Sequence, residues 1–180
     1  MKTFIISIAI TLFTFSLFAQ EFTLTSTDLQ GQLTNTQVFA GFGCAGDNIS
    51  PQLAWNNAPE GTKSFAITMY DPDAPTGSGW WHWVMFNMPA SLNELGANAG
   101  NLESGMAPEG SIQSITSFGK TGFGGACPPE GDKPHAYIFT VYALGIENIE
   151  LDNNAPPAMV GYYLNANVLA KASLISYYGR

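Results

Sequence analysis

Three short apolar runs, each closed off by glycine or proline nearby, constrain this chain more than any other feature. Residues 64–70 (SFAITMY) alternate large Phe65, Ile67 and Met69 with smaller Ser64, Ala66 and Thr68, the two-residue period of a strand. Residues 82–87 (HWVMFN) are apolar on both faces and read as a strand buried on both sides. Residues 135–143 (HAYIFTVYA) set His135, Tyr137, Phe139 and Val141 on one face. Shorter strands are expected near 22–25, 52–55 and 112–117. Loops at 41–51, 71–79 and 119–134 connect them and hold much of the chain's 19 Gly and 11 Pro. One helix is expected over 158–171, after Asn153, Asn154 and two prolines. There Met159, Tyr162, Tyr163, Ala166, Leu169 and Ala170 recur at helical spacing, and residues 172–178 read as a last strand. The expected fold is mostly β and antiparallel, with one late helix packed on it.

With 46% hydrophobic and 11% charged residues, disorder is excluded, and 180 residues suit one domain. A net charge of −8 without a basic cluster argues against a nucleic-acid or anionic-membrane binder. Residues 1–19 have Lys2, an apolar run from Phe4 to Phe18, then Ala19: the order of a secretory signal, too short for a membrane span. Its removal leaves one domain over 20–180, with a net charge of −9 and no stable membrane insertion. Cys44 and Cys127 are the only cysteines, and an exported compartment, periplasmic or extracellular, permits a disulfide between them.

Several catalytic signatures are missing: no Gly-x-Ser-x-Gly, no His-Glu-x-x-His and no phosphate loop with its lysine. Gly41, Gly43 and Gly46 spell a dinucleotide fingerprint, but no helix opens there and Pro51 follows. Asn48-Ile49-Ser50 matches a glycosylation triplet, although the following Pro51 favours a structural role. The informative segment is Asp71-Pro72-Asp73-Ala74-Pro75, ending one strand, with Trp80-Trp81-His82-Trp83 opening the next. Pairing of those strands brings both carboxylates and His82 to one end of a sheet. A second segment, 127–137 (CPPEGDKPHAY), delivers His135 and Tyr137 at a strand start. These residues compose a small anion pocket in which imidazole N–H groups donate to an oxyanion and carboxylates orient the rings. Tyr137 and backbone N–H groups of the glycine and proline loops add donors. The competing structural reading has both histidines serving core hydrogen bonds and Asp71 capping a turn.

In these segments the chain resembles the phosphatidylethanolamine-binding family, specifically its bacterial Raf kinase inhibitor-like branch. The matching residues are Asn48-Ile49-Ser50-Pro51, Trp55, residues 58–64 (APEGTKS), Asp71-Pro72-Asp73-Ala74-Pro75, Trp80-Trp81-His82-Trp83, Pro128-Pro129 with Gly131, and His135 with Tyr137. The resemblance implies a large antiparallel sheet packed against a smaller one. It also implies a ligand pocket built from Asp71, Asp73, Trp80, His82, Pro128, Pro129, His135 and Tyr137. Such pockets take phosphate-like or carboxylate-like anions, phospholipid head groups among them. One position departs: Ala136 stands where the family usually has arginine, removing a charge from the pocket rim or from a structural ion pair.

The expected function is an exported binding protein with a small anion pocket, modulating a partner protein and using no cofactor or metal. The alternative is a hydrolase or phosphotransferase in which a histidine is general base and an aspartate its orienter. A metal site from Cys44, Cys127, His82 and His135 lacks the close cysteine spacing it needs. Ligand, partner and oligomeric state, a homodimer included, stay open at this stage.

Overall fold

The computed structural model describes residues 20–180; the expected secretory signal lies outside them. In chain order the elements are β1 (Thr23–Thr25), β2 (Ala40–Gly41), β3 (Cys44–Ala45), β4 (Leu53–Asn56) and β5 (Ser64–Asp71). Then come β6 (Trp80–Pro89), β7 (Glu94–Leu95), β8 (Ile112–Gln113), β9 (His135–Leu144), α1 (Pro157–Asn167) and β10 (Val168–Tyr178). A five-stranded sheet, ordered β10-β9-β5-β6-β8, pairs antiparallel throughout. A three-stranded sheet, β1-β4-β7, lies against one of its faces, and β2-β3 form a separate two-stranded ribbon.

Side-chain alternation explains the layers. Phe65, Ile67 and Met69 of β5, Trp83 and Met85 of β6, and Phe139 and Val141 of β9 point to one core. There they meet Leu24, Leu53, Trp55 and Leu95 of the smaller sheet, with Trp55 and Phe65 packed at 5.2 Å. Ala66, Val84, Phe86 and Leu144 point the other way, beneath Val160 and Leu164 of α1 and Ile149 and Ala155 before it. Both faces of β5 and β6 are therefore covered, which is why residues 82–86 are buried without a break.

Several sequence expectations change. The helix ends at Asn167 rather than 171, and β10 starts at Val168 rather than 172. Val168 takes extended backbone, and β10 then pairs with β9 from Val168↔Leu144 to Tyr178↔His135, a ladder that outweighs the helical propensity of Leu-Ala-Lys-Ala. Val160 and Leu164 form the buried stripe of α1, whereas Met159, Tyr162 and Tyr163 are exposed. The strand expected over 112–117 shrinks to Ile112–Gln113. Beyond it the backbone disperses its bonds, Ile115 N–H to Asn153 and Ser117 N–H to Trp81.

Candidate functional site

The register puts the chemistry at one end of the large sheet. Asp71, last in β5, pairs with Trp80, first in β6, and His135 opens β9 alongside. Asp71 Oδ1 accepts the N–H groups of Asp73 (2.8 Å) and Ala74 (3.1 Å), closing the turn that proline sets up. Its Oδ2 accepts Nδ1–H of His135 at 2.8 Å, with both side chains buried. Turn-capping and histidine-orienting are therefore performed by one carboxylate. On the far side of the ring, His135 Nε2 lies 3.5 Å from Oδ2 of Asp132, a half-exposed residue.

His82 is held differently. Its Nδ1–H points at two backbone carbonyls, Gly124 (2.8 Å) and Gly125 (3.1 Å). Those carbonyls are aimed by their own N–H groups: Gly124 donates to the His82 carbonyl at 2.9 Å, and Gly125 to Asn48 Oδ1 at 2.7 Å. Asn48 completes the grip by donating Nδ2–H to the Phe123 carbonyl. Gly125 lies so close to the Gln37 carbonyl and Phe39 nitrogen that no Cβ fits. The loop glycines thus offer carbonyls to His82, and the expected backbone donors are spent elsewhere.

Burial pushes His82 down to about 4 from an ordinary 6.5; the two carbonyls and Asp71 oppose the shift, and His135 adds to it. The ring is therefore neutral near pH 7, with a proton on Nδ1 and an acceptor at Nε2. This corrects the expectation that His82 donates to an oxyanion. A sign follows for stability: between pH 6.5 and about 4 the unfolded chain takes a proton that the folded one refuses. Folding stability falls by about 3 kcal/mol as pH drops through that window. Ring resonances of His82 followed by NMR should titrate near the lower value; a midpoint above 6 would contradict this environment.

Between the two histidines is a cavity of about 170 Å³. Seven of the eight expected pocket residues line it: Asp71, Trp80, His82, Pro128, Pro129, His135 and Tyr137. Asp73 does not. Its carboxylate turns outward to Lys133 Nζ (2.8 Å) and the Ala136 N–H (2.9 Å), and those contacts, Lys133 first, hold it below the usual carboxylate range. An ion pair thus exists beside Ala136, supplied by Lys133. The Tyr137 hydroxyl is fully buried and has no hydrogen-bond partner among the described residues. Burial, then Asp71, pushes it well above its ordinary value, so it keeps its proton and remains a donor.

Sequence reasoning missed several contributors. Phe118 closes the cavity wall edge-on to both Trp80 and His82, with centroids 5.3 Å away in each case. Phe42, 68% exposed at φ +53°, stacks on Phe118 at the mouth. The expected Cys44–Cys127 disulfide forms and ties this Phe42 loop to the Pro128-Pro129 wall. Arg180 reinforces the tie by donating to the carbonyls of Pro128 (2.7 Å) and Gly43 (3.1 Å). The adjacent glycines at 124–125 were a usable signal for backbone approach; nothing local marked Arg180.

Comparison with known proteins agrees with this fold. The family model "Phosphatidylethanolamine-binding protein" matches residues 25–179. UPF0098 protein YbcL of Escherichia coli K12 is 52% identical over 180 residues, 99% of this chain and 98% of that protein. UPF0098 protein YbhB of the same organism is 53% identical over 153 residues, 84% and 96% of the two chains. The crystal structure of E. coli YbcL, a member of the mammalian PEBP family, matches with a TM-score of 0.87 at 53% identity, over 89% of this chain and 99% of that one. The chain belongs to the phosphatidylethanolamine-binding protein family.

Proposed function

We propose that this protein is an exported, non-enzymatic binding protein whose cavity takes a small anion, a phosphate or phospho head group, and so modulates a partner. The observation that carries this reading is the Tyr137 hydroxyl, a buried donor without a partner at the cavity wall. A buried hydroxyl left unpaired is costly, and an anionic oxygen in the cavity would relieve that cost. The family membership and the disulfide, which suits an oxidising compartment, support the same reading. Cys127 is bonded to Cys44, and the Thr76 hydroxyl donates to the Gly79 carbonyl, so neither wall residue is poised as a nucleophile.

The Asp71–His135 contact also has the form of an oriented general base, which favours a hydrolase or phosphotransferase as the second reading. Calorimetric titration with phosphoethanolamine separates the outcomes. Saturable binding without turnover, weakened about tenfold in Tyr137→Phe, is the expected result. Turnover of a phosphomonoester that is lost in His135→Gln would favour the enzyme, and absence of binding by folded protein would defeat the binding reading.

A further inference from the structure

We propose that the cavity selects its ligand through a proton that the ligand itself carries. A P–OH group donates to His82 Nε2, while a charged oxygen of the same phosphoryl group accepts from the Tyr137 hydroxyl. This rests on the anion-pocket reading and narrows it to singly charged phosphomonoesters or inorganic phosphate. Phosphodiesters, and with them intact phospholipid head groups, lack the required proton.

The geometry of His82 leads there. With Nδ1–H committed to Gly124 and Gly125, the only polar atom the ring can offer the cavity is Nε2, which accepts and has no partner among the described residues. An acceptor at a binding wall meets a fully ionised phosphate lone pair against lone pair. It meets a P–OH as a hydrogen bond.

The charges around His82 point the same way. The titratable groups facing it are Asp71 on β5 and His135 and Tyr137 on β9, with Phe118 packed on its edge. No lysine or arginine lines the cavity among the described residues; Lys133 is engaged by Asp73, and Arg180 by the carbonyls of Pro128 and Gly43. Asp71, by contrast, stands in the wall with both oxygens already accepting. A second negative charge on the ligand would therefore face a carboxylate with no lysine or arginine to offset it. Pro75, Pro128 and Pro129 supply no N–H groups to the wall either.

The test uses unaltered mature protein and four probes: methyl phosphate, dimethyl phosphate, inorganic phosphate and sulfate, titrated calorimetrically from about pH 5 to 8. Methyl phosphate and inorganic phosphate are expected to bind. Affinity should fall about tenfold per pH unit above the ligand's own second ionisation, which for a phosphomonoester is near pH 6. At pH 5 dimethyl phosphate and sulfate should bind at least about tenfold more weakly than methyl phosphate, since each lacks the P–OH whose loss leaves His82 unpaired, and the gap should close as pH rises. Sulfate or dimethyl phosphate binding as tightly as methyl phosphate at pH 5 would overturn the proton requirement while leaving an anion pocket in place. Failure of all four to bind would overturn the pocket reading as well.

Discussion

An Asp71→Ala variant is expected to lose about 3–5 kcal/mol of folding stability, measured as a shift in urea midpoint at neutral pH. The removed carboxylate accepts three hydrogen bonds, from the N–H groups of Asp73 and Ala74 and from His135 Nδ1. No other acceptor at the end of β5 can replace all three, so a buried imidazole N–H and a turn lose their partner together. Asp71→Asn keeps one oxygen for the backbone donors and should cost roughly half as much. A loss below about 1 kcal/mol in the alanine variant would mean that the turn and His135 stand without this carboxylate.

Reducing the Cys44–Cys127 bridge is expected to have an effect of similar size. It closes a sequence separation of 83 residues, which in the chain-entropy model stabilises by up to about 4.5 kcal/mol. The melting temperature should fall by roughly 9–18 °C on that basis. The consequence is also local, because the bridge holds the Phe42 loop over the cavity mouth and Arg180 would remain as the tie. Ligand affinity should therefore drop in a Cys44→Ser/Cys127→Ser protein that is still folded. Unchanged melting and unchanged affinity after verified reduction would show that the bridge neither staples the fold nor shapes the site.

The parts of this molecule legible in its sequence are those governed by near neighbours and by periodicity. The alternation along residues 64–70 and 135–143 marked both as strands, although β5 turns out to be buried on both faces. The proline turn after Asp71 likewise announced which end of the sheet would collect the carboxylate and His82. The ring direction of His82 was not legible, because carbonyls more than forty residues later in the chain decide it, themselves placed by Asn48. Asp73 shows the same limit. Two residues from Asp71 and chemically identical to it, it faces Lys133 across a loop and leaves the cavity. The late helix failed for another reason: Leu169 and Ala170 continue a helical spacing, and pairing with β9 overrides it. The family resemblance named the pocket residues as a set, but which of them donate and which accept depends on contacts between distant parts of the chain.

Amide NMR of the isotope-labelled protein titrated with phosphoethanolamine tests the central claim most directly. Saturable shifts should concentrate at Asp71, Ala74, Gly124, Gly125 and Tyr137, the positions that line the cavity or hold His82 in it, and should require about tenfold more ligand in folded Tyr137→Phe. A folded wild type whose amides do not move, or shifts confined to the outer face of α1, would contradict an anion site between the two histidines.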